Sequence, residues 1–340
     1  MPSISQRTIA KELGISQATV SLVVNDPQTP LIAEPTRNRI IKFCRDHGYK
    51  IGNRRKATDY IGVLMDVEYL SGRTQIHHLL GGIHRAARSM GKSVIFEQPD
   101  IDPENLIRKA PFEGLIVTEP ISDEKIDQLR NFVPIVFVNH FFNLNHSDCV
   151  VSDNDGGTFL ATEALAKHGH QKVLCFGNDH SVEPRFDMRS KRRLSGYKDA
   201  CESYGLKSEV FTKPFSEYDA KPEIYREIAQ DFLVEKGVTG VVAMHDFQGV
   251  KFMRAAEELG LRAPDDYSII GFGDGEQCQY SMPKMASIGE EFVEMGAAAL
   301  EMLTHRISDE VQRPPRKIVC GTHLVERPSL GPVPKVKAKK

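Results

Sequence analysis

The feature that most limits the fold of this chain is a regular alternation of short apolar runs with amphipathic stretches, beginning at Tyr60. The apolar runs, each of strand length, lie at 60–67, 92–97, 114–120, 134–139, 172–179, 240–246 and 267–274. The amphipathic stretches, each of helix length, lie near 75–90, 122–131, 155–168, 190–204, 222–236, 246–259 and 289–305. This alternation predicts parallel sheets that are covered on both faces. About 270 residues are too many for one small sheet and its covering helices. We therefore expect an α/β body of two Rossmann-like lobes with a cleft between them.

The first fifty residues have a different pattern and fit an all-α domain of three short helices. Ser5 can cap a helix that stops at Gly14, since glycine tolerates the left-handed backbone found past helix ends. Ser16 can cap a second helix that ends near Asn25, and a third spans about 35–48 with a proline near its start. Two helices joined by a tight turn predict a helix-turn-helix.

The second helix leaves an exposed face that carries no charge. Gln17, Ala18 and Leu22 lie on it, while the apolar stripe of the same helix can be buried. In a major groove, glutamine can hydrogen-bond adenine, and small apolar groups can touch the thymine methyl. Residues 1–58 hold ten Lys/Arg and four Asp/Glu, a net charge of +6, which leaves −8 on the remainder. A basic N-terminal domain on an acidic body indicates that this domain, the head, binds a polyanion. The alternative is a three-helix bundle whose basic face is only solvated.

Three strings near the N-terminus, TIAKELGISQATVSLVVND, TRNRIIKFCRDHGY and YIGVLMD, resemble the LacI/GalR (lactose-repressor) family. VVSDNDGG, RRLSGYKDA, GVVAMHDFQGVKFMRAAEELGLRAPDDYSIIGFGD and MPKMASI follow in the family's order, so the resemblance extends over about residues 5–330. It implies a homodimeric transcription factor whose helix-turn-helix domains bind double-stranded DNA at a pseudo-palindromic operator. It also implies a periplasmic-binding-protein-like body that binds a small effector.

The resemblance also implies roles in DNA binding by matching position. Gln17, Ala18 and Leu22 match the base-reading residues, although many members carry arginine or histidine where Leu22 stands. Residues that match phosphate-contacting or turn-bracing positions are Ser5, Gln6, Arg7, Ser16, Thr19, Ser21 and Asn25. The loop after the second helix is two residues longer than expected, and Ala33 stands where a capping serine is usual. This loop is therefore expected to meet the DNA backbone differently.

The connection between the head and the body departs from the family pattern. Members usually carry a hinge helix there, with a leucine that wedges into the minor groove. Here residues 51–59 lack the leucine, Gly52 stands where proline is usual, and the connection is about six residues shorter. Arg54, Arg55 and Lys56 suggest a basic arm that binds phosphates or a narrow minor groove. A plain tether is the alternative.

Several strands of the body end in polar residues, and in open α/β sheets ligands bind beyond the carboxyl ends of strands. Matching positions place Asn139, Arg193 and His245 in an effector cleft, with Tyr69 and Phe141 as possible stacking walls. Arginine there resembles the family's ligand-clamping residue, because a guanidinium suits paired hydroxyls or a carboxylate.

Two positions in this cleft differ from the family. His245 replaces a usual asparagine, and Gly273 replaces the first of two aspartates, which leaves Asp274. The loss of a carboxylate that grips sugars weakens the expectation of a simple sugar. A carboxylated, larger or otherwise modified ligand, such as a sugar acid, becomes more plausible. The alternative for His245 is structural, as for many histidines at strand ends.

Other classes of protein find little support in the sequence. Six scattered cysteines with no CxxC pair predict reduced thiols and no metal or redox motif. No run approaches the ~20 apolar residues of a membrane span, and the N-terminus lacks an apolar signal core, so we expect a cytoplasmic protein. We expect no helix to begin after the glycines of 271–275, and phosphate-loop and hydrolase motifs are absent from the sequence. We therefore expect no enzyme, no catalytic residues, no metal and no cofactor.

The predicted domains are a DNA-binding head at 1–50, a basic linker at 51–59, an effector-binding and dimerisation body at 60–330, and a basic disordered tail at 331–340. The predicted function is sequence-specific regulation of transcription by a homodimeric repressor whose operator affinity is modulated by the effector. The sequence has no C-terminal leucine heptad of the kind that would indicate a tetramer, so we expect a dimer. The alternatives are a ligand-independent or activating DNA-binding regulator, and a small-molecule-binding protein with a vestigial head.

Overall fold

The computed structural model describes most of the chain. The described residues are 5–25, 27, 29–47, 49, 58–65, 74–109, 111–119, 121–139, 147–178, 187–221, 223–308 and 314–334. They form a small helical head followed by a larger body of two mostly parallel sheets. The predicted fold class is thereby confirmed.

The head is built from three helices around a small apolar core. The helices are α1 (Gln6–Leu13), α2 (Gln17–Asn25) and α3 (Glu34–Asp46). Ile9, Val20, Val23 and Ile40 are fully buried between them. Gly14 ends α1 with φ +64°, the left-handed conformation that its lack of a Cβ permits. The first two helices are therefore set at a tight turn, as the sequence predicts.

The body alternates strands and helices along the chain. Its strands are β1 (Tyr60–Leu64), β2 (Ser93–Glu97), β3 (Gly114–Val117), β4 (Ile135–Val138), β5 (Asp148–Ser152), β6 (Lys172–Asn178), β7 (Lys207–Lys213), β8 (Gly240–Ala243), β9 (Ser268–Gly273), β10 (Ala286–Glu290), β11 (Lys317–Cys320) and β12 (Thr322–Val325). Its helices are α4 (Thr74–Ser89), α5 (Pro103–Lys109), α6 (Asp123–Arg130), α7 (Asn154–Lys167), α8 (Asp187–Tyr204), α9 (Phe215–Ala220), α10 (Ile224–Ile228) with a π-helical continuation (Ala229–Glu235), α11 (Asp246–Glu258), α12 (Gln277–Tyr280) and α13 (Phe292–Ser308).

The strands form two six-stranded sheets, one in each lobe. The first lobe has the order β11-β5-β4-β3-β1-β2, and the second has the order β12-β10-β9-β8-β6-β7. Strand neighbours are parallel, except that β12 runs antiparallel to β10. In the first lobe Ile116 packs in one apolar core, while Leu115 and Val117 pack in another on the opposite face. Both faces of the sheet are thus buried, which explains why its strands are apolar throughout rather than alternating.

The chain passes between the lobes three times. The first crossing leads from Ser152 at the end of β5 into α7, which packs against α8 in the second lobe. The second leads from Glu290 at the end of β10 into α13, which packs against α4 in the first lobe. The third is Gly321, between the edge strands β11 and β12. These three connecting segments together form the hinge at one side of the cleft.

The sequence predicted the repeating strands and helices well and the edges of the sheets poorly. All seven predicted strands are present. The helix predicted from 289 begins instead at Phe292, because 286–290 pairs with β9 as strand β10. The segment predicted as one helix at 222–236 is α10 with its π-helical continuation. The strands β5, β7, β10, β11 and β12 were not predicted. The expectation of no helix after the glycines of 271–275 was wrong, because the four-residue helix α12 begins at Gln277. Among the described residues, no helix is both long and apolar enough to cross a bilayer.

Candidate DNA-binding surface and effector cleft

Serine caps fix the start of the first two head helices. The Oγ of Ser5 accepts a hydrogen bond from the Thr8 amide at 3.1 Å, and the Oγ of Ser16 accepts one from the Thr19 amide at 3.0 Å. Each cap satisfies an amide that the helix start leaves unpaired, and such caps are worth about 1 kcal/mol. The register of α2, and hence which side chains it exposes, follows from the second cap.

The exposed face of α2 carries the three residues predicted to read bases. Gln17 and Ala18 are exposed, and Leu22 is 41 % exposed, although leucine is normally placed in a core. On the opposite side Val20 and Val23 are fully buried. The helix therefore presents an uncharged surface with one amide and two apolar groups, which suits contact with base edges in a major groove.

The predicted backbone-contacting residues surround this face. Ser5, Arg7, Ser16 and Asn25 are exposed, whereas Gln6, Thr19 and Ser21 are half-buried. The Asn25 amide donates to the Ser21 hydroxyl at 3.0 Å, which braces the last turn of α2. These positions are compatible with phosphate contacts, and their roles stay predictions. Arg54, Arg55 and Lys56 of the predicted arm lie outside the described residues.

The lengthened loop between α2 and α3 holds one apolar side chain away from the core. Thr29 is 3 % exposed, and its carbonyl oxygen lies 3.5 Å from Nη1 of Arg37. Leu31, two residues on, is 74 % exposed. Ala33 precedes α3 without a side-chain cap, as its residue type requires. The loop between α2 and α3 thus exposes one apolar side chain to solvent.

The cleft at the hinge is organised by Arg193 of α8. Its side chain is 3 % exposed, and its guanidinium carbon lies 3.6 Å from the centroid of the Phe272 ring. Nε donates to Asn154 Oδ1 at 2.7 Å. Nη1 donates to the Met244 carbonyl oxygen and lies 3.3 Å from Nδ1 of His245. Two of the predicted effector residues, Arg193 and His245, are therefore in contact.

Arg193 also reaches the second crossing. Its Nη2 lies 3.7 Å from Oε2 of Glu290, whose side chain is 5 % exposed. Burial lowers the pKa of Arg193 to about 10, and the Glu290 carboxylate opposes that shift. The arginine therefore stays charged at neutral pH. Asn154 follows the first crossing and Glu290 precedes the second. The Arg193 guanidinium therefore links α8 to both crossings.

The packing of α7 against α8 explains the glycine and the tyrosine of the RRLSGY string. A Cβ on Gly196 would lie 1.9 Å from the Asp155 carbonyl oxygen, so no larger residue permits this approach of the helices. The hydroxyl of buried Tyr197 lies 2.8 Å from the Val173 carbonyl oxygen and 2.9 Å from that of Glu209. Together these residues hold α8 so that Arg193 points at the hinge.

The start of α11 supplies His245 and a fully buried carboxylate. Asp246 Oδ1 accepts from the Ser287 hydroxyl at 2.6 Å, and Oδ2 accepts from the Gly275 amide at 2.8 Å. Burial raises the pKa of Asp246 to about 6, against the lowering effect of these hydrogen bonds. The His245 ring stacks on Phe247 with centroids 5.7 Å apart. Asp246 thus anchors the loop after β9, while His245 faces Arg193.

Buried side-chain oxygens that accept no hydrogen bond from the described residues include three that lie at strand ends or in the first turn of α11. They are Oδ1 of Asn139, Oε1 of Gln248 and Oε1 of Glu290. Asn139 directly follows β4 with φ +60°, and Gln248 lies in the first turn of α11, where its Nε2 donates to Asn178 Oδ1 at 2.6 Å. Sequence reasoning identified Asn139 but missed Gln248 and Glu290. Glu290 becomes visible only when β10 is recognised as a strand that ends at the hinge.

Of the remaining predicted effector residues, only Asp274 lies among the described residues, and its ion pair is with a residue other than Arg193. Oδ1 of Asp274 lies 2.7 Å from Nη2 of Arg327, and the Asp274 amide donates to the Ser287 hydroxyl at 3.1 Å. This carboxylate is thus paired within the second lobe, and an effector role for it stays a prediction. Tyr69 and Phe141 lie outside the described residues. Among the residues with described positions, no three His, Cys, Asp or Glu side chains are grouped to hold a metal ion.

Comparison with known families and proteins gives matches along nearly the whole chain. The family described as a periplasmic binding protein-like domain matches residues 162–330. The HTH-type transcriptional regulator DegA of Bacillus subtilis is 26 % identical, over 96 % of this chain and 97 % of its own length. The HTH-type transcriptional repressor PurR of Haemophilus influenzae is 26 % identical, over 95 % of this chain and 98 % of its own length.

Solved structures of regulators share the fold. The transcriptional regulator CelR in complex with cellobiose aligns with a TM-score of 0.67 at 22 % identity, covering 96 % of this chain and 100 % of that one. The lac repressor dimer bound to operator and an anti-inducer aligns with a TM-score of 0.65 at 21 % identity, covering 96 % of this chain and 99 % of that one. The head, the two lobes and their order are therefore shared with DNA-binding proteins.

Proposed function

We propose that this chain, which belongs to the LacI/GalR family of transcriptional regulators, is a homodimeric repressor whose affinity for its operator is controlled by a small molecule. The observation that carries the proposal is the uncharged, exposed face of α2, which begins at the Ser16 cap within a head whose sequence is rich in basic residues. A surface that only needed solvation would be expected to carry charged side chains. A surface that contacts base edges benefits from short uncharged ones.

Specific binding would place α2 in the major groove. Gln17 can make a bidentate hydrogen-bond pair with adenine, while Ala18 and Leu22 can contact thymine methyl groups. A good bidentate pair discriminates against a wrong base by about 1–3 kcal/mol. Arg7 and the predicted arm would bind phosphates, which adds affinity without specificity. Two heads in a dimer would require two half-sites related by a two-fold axis.

Control by an effector follows from the position of the cleft at the hinge. A ligand held by residues of both lobes favours the conformer in which the lobes lie closer together, and the population shifts toward it. Because the head precedes β1 of the first lobe in the chain, a change in lobe orientation would alter the spacing of the two heads. Allosteric coupling is typically about 1–3 kcal/mol, which is roughly a 5–150-fold change in operator affinity.

An apolar patch on the second lobe supports the homodimer. Tyr280 is 79 % exposed and Met282 is 91 % exposed. Met282 also lines a cavity of about 280 Å³ together with Met253 and Tyr267. Exposed apolar clusters of this kind favour a protein contact. We propose that a second copy of the chain covers this patch, and that the dimer acts in the cytoplasm, where it meets the chromosome.

The first experiment selects binding sites from random duplex DNA with the purified full-length protein. A two-fold symmetric enriched site is the expected result. Binding of all sequences with the same salt dependence would overturn sequence-specific recognition and would favour a body with a vestigial head. Reporter expression from the selected site then separates a repressor from an activator.

A further inference from the structure

We propose that the effector is an amine, a small molecule whose ammonium group is bound by the Glu290 carboxylate. The inference rests on the proposed effector role of the cleft at the hinge. It replaces the expectation of a sugar acid, whose carboxylate the Arg193 guanidinium would have clamped.

The contacts of Arg193 leave no free edge for a bidentate anion. Nε donates to Asn154, Nη1 donates to the Met244 carbonyl oxygen, and Nη2 faces Glu290 at 3.7 Å. A carboxylate is recognised by two parallel N–H groups of one guanidinium edge. A carboxylate ligand at Nη2 would have to take the place of Glu290 and come close to its negative charge. The cleft therefore disfavours acids at this arginine.

What the cleft offers in excess is hydrogen-bond acceptors. Oε1 of Glu290, Oδ1 of Asn139 and Oε1 of Gln248 are buried and accept nothing from the described residues. Buried acceptors without a donor are costly, so a ligand that supplies N–H or O–H groups recovers that cost on binding. An ammonium group supplies three donors and no acceptor. The three oxygens thus match the chemistry of an amine and not that of a carboxylate.

Two of these acceptors are linked to Arg193 on the second lobe, and the third lies on the first lobe. Glu290 contacts Arg193, and Arg193 contacts His245, which immediately precedes α11 and lies three residues before Gln248. On the first lobe, the backbone N–H of Asn139 donates to the Val150 carbonyl oxygen of β5 at 2.8 Å, two residues before β5 ends at the first crossing. A ligand that donates to both sides would hold the lobes together.

The charge of the buried groups separates an amine from a neutral polyol. Glu290 lies 3.7 Å from Arg193 through Oε2 and keeps its second oxygen, Oε1, without a donor from the described residues. A polyol can donate to this oxygen only through neutral hydroxyl groups. An ammonium group donates to it through charge-assisted hydrogen bonds, which are stronger than neutral ones.

The test measures binding to the full-length protein by calorimetry with two matched sets of probes. One set is glucose, glucosamine and glucuronate, and the other is 1,4-butanediol, putrescine and succinate. We expect at least one amine to bind about 10-fold or more tightly than its alcohol and its acid, since a hydrogen bond to a charged group is worth roughly that ratio. Binding of an acid in preference to its amine, or of no amine in either set, overturns the proposal.

Variants assign the preference to the named oxygens. Glu290→Gln should weaken the amine about 10-fold or more and change the alcohol by less than about 3-fold. Equal losses for both probes would mean a structural effect and would overturn the role of Glu290. Glu291→Gln is the matched control, because its carboxylate is half-exposed and pairs with His323 at 3.0 Å. If Glu290→Gln does not fold, Asn139→Gly removes an acceptor while tolerating the positive φ.

The two levels of proposal fail separately. An acid or neutral ligand that still alters operator binding would overturn the amine and leave the ligand-controlled regulator intact. If an amine binds but no DNA site is enriched, the ligand-controlled regulator is overturned and the amine remains supported.

Discussion

The Nε of Arg193 and the Oδ1 of Asn154 are joined by a 2.7 Å hydrogen bond across the contact between α8 and α7. Asn154 also donates through Nδ2 to the Ser152 carbonyl oxygen at 3.0 Å, on the other side of the first crossing. One buried amide thus connects the cleft arginine to the strand that leads into the hinge. This relationship makes Asn154 a positioning residue for effector response.

Replacing Asn154 by alanine should therefore uncouple the cleft from the head. The change leaves Nε of Arg193 buried without an acceptor, which costs about 1–3 kcal/mol of folding free energy. We expect a lower Tm and a smaller effect of the bound amine on operator affinity, with operator affinity in its absence nearly unchanged. Gln128→Ala, on the exposed face of α6, is the matched control. An unchanged effector response in a folded Asn154→Ala protein would contradict the coupling.

Gln17 should determine sequence preference at one position of each half-site. Gln17→Ala removes a bidentate partner, so affinity for the selected operator should fall by about 1–3 kcal/mol per half-site. Non-specific affinity should stay the same, because the substitution leaves the groups that bind phosphates in place. Titrations on the operator and on operators changed at single base pairs check this. If the variant loses the same factor on every sequence, Gln17 does not read a base.

The predicted basic arm should affect salt dependence rather than specificity. Removing one cationic side chain from a phosphate reduces the slope of log K against log salt by about 0.9. Replacing Arg54, Arg55 and Lys56 with alanine should therefore lower the slope by about 2–3 and weaken operator and random DNA alike. An unchanged slope would support a plain tether. Binding at four salt concentrations is sufficient to measure it.

Acid should destabilise the second lobe through His170. This fully buried imidazole lies 3.0 Å from Thr239 Oγ1 and 3.2 Å from the Gly331 carbonyl oxygen. Burial lowers the pKa of folded His170, whereas the unfolded chain titrates near pKa ~6.5. The unfolded state then binds more protons, so the stabilising contribution is present above about pH 6.5 and is lost as pH falls below it. Urea unfolding between pH 5 and 8 measures the slope.

The His170 contribution has to be separated from that of Asp246, which has the opposite sign. Because burial raises the folded pKa of Asp246 to about 6, its contribution is lost as pH rises from about 4 to 6. The difference in slope between the native protein and His170→Gln isolates the histidine. His77→Gln, on the exposed face of α4, should leave the slope unchanged. Equal slopes for the native protein and His170→Gln would contradict the assignment.

The sequence was most informative where structure depends on neighbouring residues. Ser5, Gly14 and Ser16 act within three residues of their partners, so the head's first two helices could be located from local pattern alone. The buried strands of the sheet centres were equally visible, because both of their faces are apolar. Edge strands such as β7 carry several exposed residues and give no such run.

The cleft could be predicted only in part, because its contacts join residues far apart in the chain. Arg193 and His245 were found by position, and their mutual contact spans 52 residues. The pairing of Asp274 with Arg327 and the approach of Glu290 to Arg193 depend on the order of strands in the second sheet. No local pattern shows which carboxylate is already paired and which still lacks a donor.

The three crossings also determine when a nascent chain can fold. The first lobe contains strands from 60–152, yet α13 and the edge strand β11 come from 292–320. On the ribosome the early strands emerge long before the segments that cover them, and non-local pairings of this kind form slowly. The first lobe is complete only after β11 has been synthesised, and the second only after β12. We expect chain termination before β11 to leave exposed apolar surface in both lobes, making the truncated product a substrate for chaperones and proteases.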